Sequence, residues 1–240
     1  MAEKTGIEWT DRTWNPWQGC KKVSAGCKNC YMYREKKRYG QDPAVVVRSK
    51  TTFNAPLKWK APARVFTCSW SDFFIPQADP WRDEAWDIIR RTPHLTYQIL
   101  TKRPERIEAC LPQDWGNGYR NVWLGISAES GEWYDRRWPI LLEVPAAVRF
   151  LSAEPLLGPI WFSAEPLWFG LGYLPDWVIA GAETGAGARF TDIEWIRGLR
   201  RECGSDVPLF VKQITVNGRK IPFEQWPEDL QVRQFPEVVR

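Results

Sequence analysis

Three cysteines fall within a short stretch near the start of the 240-residue chain: Cys20, Cys27 and Cys30, spaced C-x6-C-x2-C in "NPWQGCKKVSAGCKNCYMY" (15–33). Two thiolates separated by two residues can chelate one metal centre from a tight turn, and the third reaches it if Gly19 and Gly26 bend the loop. Three soft ligands suit either zinc or an iron–sulfur cluster. Structural zinc wants a fourth protein ligand, and no second CxxC or HxxxH pair follows, so Cys68, Cys110, Cys203 or His94 would have to be recruited from afar. A cubane held by three cysteines instead leaves one iron open to a substrate or cofactor. The bland alternative, three unrelated reduced thiols, is disfavoured by the clustering. The single histidine, His94, leaves little from which to build a His-based zinc hydrolase or a Ser-His-Asp triad.

Other polar residues gather at the ends of apolar runs. They are Ser69, Ser71 and Asp72; Thr101, Lys102 and Arg103; Ser127 and Glu129; Ser152 and Glu154; Glu183 and Thr184; and Lys212 and Gln213. Asp72, Arg103 and Glu129 could equally be helix caps or solvated loop charges. Glu154 and Glu183 each follow a strongly apolar run through a small residue, in "FLSAEPL" and "VIAGAETGAGAR". Glycines 181, 185 and 187 would let backbone approach a ligand, although their spacing matches neither the dinucleotide nor the phosphate-loop fingerprint.

The runs that carry these residues read as strands: 63–70, 95–100, 121–127, 147–153, 176–182 and 208–213, with a short one near Ile7–Thr10. Their near-continuous apolar character suits a parallel sheet covered on both faces. Helices are expected between most of them. "DPWRDEAWDIIRRT" offers Asp79 as N-cap and Pro80 at the first position, with Trp81, Ala85, Ile88 and Ile89 on one side. "RPERIEACL" places a proline in a probable first turn. "TDIEWIRGLRRECG" has Thr191 and Glu194 in capping-box spacing and ends on Gly204. "CYMYREKKRYG" reads as a helix stopped by Gly40. Alternation on this scale predicts an α/β fold, a partial or complete parallel β/α (TIM-like) barrel spanning 1–240 as one domain, with the cysteine loop at 15–33. Polar groups on every strand end favour the barrel over an open doubly wound sheet, because barrel strand ends converge on one mouth.

Composition narrows the classes. The chain is long enough for a full core without disulfides, and six cysteines are too few for a stapled secreted module. The polar N-terminus carries no apolar leader, so a cytosolic protein with reduced thiols is expected. No run approaches the roughly 20 apolar residues of a membrane span. The net charge of +4 permits an anionic partner without demanding one. Sixteen tryptophans serve mainly as core, with stacking on ligands or bases as the lesser reading.

The run "GIEWTDRTWNPWQGCKKVSAGCKNCYMYR", followed in order by "TCSWSDFF", "YQILTKRPERI", "NVWLGIS", "AAVRFLSAEPLLGPI", "DWVIAGAETGAGAR" and "PLFVKQ", resembles the phage Gp37/Gp68 family over residues 6–213. That family in turn resembles the radical S-adenosylmethionine superfamily, which implies a β/α barrel with a [4Fe–4S] cluster near its mouth. The first cysteine gap is six residues rather than the usual three. Asn29 stands where an aromatic residue normally precedes the last cysteine, leaving Tyr31 to contact adenine.

The resemblance implies an enzyme. Cys20, Cys27 and Cys30 would bind three irons, and the fourth would chelate S-adenosylmethionine, whose reductive cleavage gives a 5′-deoxyadenosyl radical that abstracts hydrogen from substrate. Ser69, Ser71 and Asp72 would hold the cofactor's amino group, and Lys102 and Arg103 its carboxylate or a substrate phosphate. Ser127, Glu183 and Gln213 would make further cofactor or substrate contacts. Glu154 and Lys212 would transfer protons. The implied partners are an electron donor such as a flavodoxin-type reductant and, as substrate, a nucleobase. An isomerase-type rearrangement on a hypermodified thymine of phage DNA is the favoured form, with a small molecule as its competitor. Two rivals stand beside this reading: a zinc-stabilised nucleic-acid-binding module, and a barrel hydrolase using Glu154 and Glu183 as paired carboxylates.

Overall fold

The computed structural model describes residues 5–162 and 174–237. The fold is mixed α/β. Seven strands make one sheet in chain order: β1 (Arg12–Trp14), β2 (Ala63–Thr67), β3 (Leu95–Thr101), β4 (Val122–Ser127), β5 (Val148–Ala153), β6 (Trp177–Gly181) and β7 (Leu209–Gln213). The pairings β1–β2, β2–β3, β5–β6 and β6–β7 are parallel. Chain-ordered parallel strands joined by crossovers are the arrangement of a partial β/α barrel. Every residue of β4 and β6 is buried, as near-continuous apolar strands require. Among the described residues no helix is long and apolar enough to cross a membrane.

The chain divides into two compact units, 1–125 with 144–147, and 126–143 with 148–240. In the first, Trp17, Phe73, Trp86 and Trp115 form a chain of rings with centroids 5.2, 4.9 and 5.5 Å apart. Each of these buried indoles that donates finds a carbonyl: Trp17 Nε1 to Asp72 O (3.1 Å), Trp86 Nε1 to Cys110 O (2.8 Å) and Trp115 Nε1 to Pro145 O (2.9 Å). These three tryptophans thus serve the core, each with its one polar atom satisfied.

Helix α1 (Tyr31–Arg38) follows the cysteine loop, and the chain leaves it at Gly40 with φ +66°. Helix α2 (Asp79–Arg91) begins one residue before its expected first turn, with Ala78 at the N-cap. The Asp79 carboxylate does not cap it; it binds Arg82 (2.6 Å) and Arg106 (2.8 Å). Ala85, Ile88 and Ile89 are buried as expected, together with Trp86 and Arg82, while Trp81 is half-buried. Arg82 spends its remaining donors on Phe73 O and Ile75 O, pinning the turn that follows Asp72.

Two expectations are corrected here. The first strand is Arg12–Trp14, not Ile7–Thr10; Trp9 instead packs its ring on Phe66 at 4.6 Å. The proline-led stretch after Arg103 makes two short 3-10 turns, Pro104–Arg106 and Glu108–Cys110, rather than a helix.

In the second unit, helix α3 (Gly131–Leu142) was not marked by the sequence, and helix α4 (Ile193–Cys203) is capped by Asp192, whose carboxylate accepts from Glu194 N at 2.9 Å. Thr191, the expected cap, donates to Leu156 O instead. Gly204 ends α4 with φ +54°, as expected. Beyond β7 the chain returns antiparallel: Val211 N donates to Val232 O and Gln234 N to Leu209 O, both at 2.9 Å. Trp177 Nε1 reaches Gln234 O and its ring packs on Phe235, so the returning segment covers the edge of β7.

Candidate cofactor site

In the first unit the cysteine loop is held from beneath by the turn after β2. Cys68, at φ +65°, reverses the chain, with its N–H on Trp14 O and its carbonyl accepting from Ser71 N. Asn15 braces the turn: its Oδ1 accepts from Trp70 N (2.8 Å) and its Nδ2 donates to Ser69 Oγ (3.0 Å). Ser71 Oγ donates to Gly19 O at 2.6 Å, and Gly19 N to Trp70 O at 3.0 Å. Gly19 has φ +97°, and a Cβ there would lie 2.1 Å from Val45 O, so no other residue fits where the loop departs.

Asp72 is the centre of this bracket. Its Oδ1 accepts from Phe74 N (3.0 Å) and Thr101 Oγ1 (2.8 Å), and its Oδ2 from Lys102 N (3.0 Å) and Arg103 Nη1 (3.0 Å). Both side chains of the Asp72–Arg103 pair are buried. Arg103 extends the bracket to the loop, donating through Nη2 to Lys21 O at 2.7 Å and lying 3.8 Å from Cys20 Sγ. Four donors already fill the carboxylate expected to take a cofactor's amino group, and the guanidinium expected to meet a carboxylate or phosphate grips the cysteine loop.

The three cysteines are free and half-buried. Cys27 closes a 3-10 turn (Ala25–Cys27), and Cys30 stands at the N-cap of α1. Burial pushes the Cys20 thiol up to about 11; Asp72 adds to the rise, and Arg103 opposes it. Burial also raises the Tyr33 phenol, and Cys20, Cys27 and Cys30 each raise it further, so all three sulfurs lie within electrostatic reach of one hydroxyl. That hydroxyl donates to Cys20 O. Among the described residues, no group of three or more His, Cys, Asp or Glu side chains is gathered closely enough to hold a metal ion. The donor set nevertheless fits a thiolate-held metal group: three free soft ligands from one loop, with a fixed cation beside one of them.

Of the other thiols, Cys68 is fully buried, and burial, Asp72 and Cys20 hold its pKa well above the ordinary value. Cys110 accepts from Arg106, Cys203 is buried in the second unit, and His94 shares a 2.8 Å hydrogen bond with Trp59 O. Tyr31, 43% exposed, donates its hydroxyl to Ser69 O and leaves ring surface in solvent.

The second unit carries its own polar cluster. Glu154 Oε1 lies 2.8 Å from Lys212 Nζ, and its Oε2 accepts from Ser152 Oγ at 3.2 Å. Gly181 makes the room: a Cβ there would sit 2.8 Å from Glu154 Oε1. Gln213 Nε2 donates to Ala182 O (2.6 Å), tying the ends of β6 and β7. Glu183 is clasped by Arg189, through Nε at 2.9 Å and Nη2 at 2.5 Å. Glu154 and Glu183 thus each close on a cation of their own. Ser127 is buried, and its carbonyl accepts from Arg137, which also pairs with the buried Glu129 at 3.2 Å. Sequence reasoning passed over Arg137 and Arg189; an arginine on the apolar side of a helix was the available sign for the former.

A family model described as a protein of unknown function (DUF5131) matches residues 4–226. No curated protein and no solved structure matches the chain.

Proposed function

We propose, from the premise that the chain belongs to the DUF5131 family of proteins of unknown function, that it is a radical S-adenosylmethionine enzyme. Cys20, Cys27 and Cys30 hold its [4Fe–4S] cluster. The observation that carries the reading is three free, half-buried thiols presented by one short loop, with the Arg103 guanidinium fixed 3.8 Å from Cys20 Sγ. The resemblance to the phage Gp37/Gp68 family and the chain-ordered sheet support it.

When bound, the cluster and S-adenosylmethionine supply one-electron cleavage of a carbon–sulfur bond and a carbon radical able to abstract hydrogen. The chain holds and orients. Asp72 and Arg103 fix the loop, because a buried ion pair with further hydrogen bonds leaves a guanidinium one geometry. Tyr31 presents an exposed ring to an adenine. In the second unit the Glu154–Lys212 pair is in hydrogen-bond contact and part-exposed, so the carboxylate would accept a proton from a bound substrate and the ammonium would donate one to it. The substrate is a nucleobase, a thymine derivative in phage DNA, rearranged in an isomerase-type step, and a flavodoxin-type reductant supplies the electron in the cytoplasm.

The reduced enzyme, incubated with S-adenosylmethionine and phage DNA bearing precursor bases, should release 5′-deoxyadenosine and alter one nucleoside in the digest. Cofactor cleavage with every base unchanged would overturn the DNA substrate; no cleavage at all would overturn the enzyme class.

One observation favours a second reading. Cys68 opens the turn that braces the cysteine loop, with Ser71 N donating to Cys68 O and Ser71 Oγ to Gly19 O, and a zinc ion would draw on it as a fourth thiolate in a nucleic-acid-binding module.

A further inference from the structure

The glycine run after β6 is used by none of the chemistry above. Residues 184–188 face the turn 217–220 of the hairpin that pairs Thr215–Val216 with Arg219–Lys220, and between them lies an open groove of about 610 Å³. Gly185 and Gly187 have φ of +95° and +73°, and Asn217 and Gly218, at +51° and +73°, make the tight hairpin turn. The two loops touch closely: a Cβ on Gly218 would meet that of Ala188 at 3.3 Å. Gly187, which lines the groove, has nothing within 4 Å of where a Cβ would point, so a bulky chain can approach the backbone itself.

The charge of the groove is one-sided. Arg219 and Lys220 line it, both exposed, and among the described residues no carboxylate does. Arg219 has no ion-pair partner among the described residues. The neighbouring Glu183 is already neutralised by Arg189. Two residues past Ala188 stands Phe190, 79% exposed, its ring backed edge-on by Trp195 at 6.4 Å. An aromatic face left in water two residues along the chain from a cationic, glycine-lined groove supplies the two elements of single-strand recognition: charge for the backbone and a ring for a base.

We infer that this groove binds the phosphodiester backbone of a single-stranded nucleic acid, with Arg219 and Lys220 on phosphates and Phe190 stacked on a base. The inference deepens the proposed nucleic-acid substrate and rests on that part of the reading, but not on the cluster. The hairpin directly follows β7, which carries Lys212, and the loop begins one residue after Glu183, so a bound strand is held at the ends of β6 and β7.

The test is fluorescence anisotropy of the full-length chain with a labelled single-stranded oligonucleotide across a salt series, with and without bound metal. The double variant Arg219→Gln/Lys220→Gln should bind about tenfold or more weakly, and the slope of log affinity against log salt should fall by about 1.4, two phosphate contacts' worth. Phe190→Ala should weaken binding about tenfold with the slope unchanged. Both variants alter exposed side chains, and unchanged near-ultraviolet circular dichroism verifies their folds. Wild-type affinity and slope in the double variant would overturn the inference, as would competition by inorganic phosphate or a mononucleotide as effective as that of the oligonucleotide, which marks a free-anion site. Oligonucleotide binding by metal-free protein would sustain the groove even if no cluster forms; cofactor cleavage without oligonucleotide binding would remove the groove and leave the cluster reading standing.

Discussion

Arg103 Nη1 lies 3.0 Å from Asp72 Oδ2 and 3.8 Å from Cys20 Sγ, so one buried guanidinium joins the end of β2 to the cysteine loop. Removing one partner leaves the other charge buried and unpaired. Asp72→Asn should therefore cost about 3–5 kcal/mol and lower the melting temperature by ~10 °C. In the metal-free protein it should also speed alkylation of Cys20, read by peptide mass spectrometry. Unchanged melting and labelling would show that the bracket does not hold the loop.

Cys68 separates the two metal readings. Cys68→Ser should leave the iron content of the reconstituted protein at its wild-type level, because three thiolates suffice for the cluster. If Cys68 completes a zinc site, the same variant should lose zinc, and the measurement is metal stoichiometry by mass spectrometry.

Gly181 and Lys212 should behave as one unit. The Cβ of Gly181→Ala would displace Glu154 Oε1, whose partner is Lys212. Its cost should be mainly the broken pair, so Lys212→Met should absorb most of it. A double-mutant cycle by chemical denaturation should give a coupling of roughly 0.5–3 kcal/mol, whereas simple additivity would mean that the alanine strains the backbone instead.

Much of the sheet could be read from the sequence because its inner strands are apolar on both faces, and "VWLGIS" and "WVIAG" are buried throughout. The first strand was displaced because its apolar signal comes from Trp9, which packs by its side chain outside the ladder. Helix α3 escaped notice because Pro139 interrupts it, although Tyr134, Trp138 and Leu141 keep helical spacing and are buried. The segment covering β7 pairs through its backbone and has no apolar run to announce it. At the candidate site the residue types were visible and their partners were not. Asp72 and Arg103 stand 31 residues apart, and only the fold shows that they bind each other. The same holds for Glu154 with Lys212, and for Glu183, whose partner Arg189 is near in sequence but unmarked by any pattern.

Acid should expose the role of Asp79. Burial raises its carboxyl, but Arg82 and Arg106 outweigh burial and hold it below the ordinary carboxylate range. A depressed folded-state pKa gives stability that is present above the unfolded carboxyl's pKa and lost as pH falls through the folded value. Wild type should thus be more stable than Asp79→Asn at neutral pH, and the gap should close as the solution is acidified below the carboxylate range. Because the side chain is half-exposed, the gap should be small, about 1 kcal/mol, and should shrink with salt. Urea denaturation at a series of pH values measures it; a gap independent of pH would contradict the ion-pair account.

The most direct test of the central claim is iron and sulfide content after anaerobic reconstitution, measured on wild type and on Cys20→Ala, Cys27→Ala and Cys30→Ala. About four irons and four sulfides per chain are expected in wild type, with broad visible absorbance that dithionite bleaches, and loss of that content in each variant. A colourless protein holding one zinc, or cluster content unaffected by the three substitutions, would contradict it.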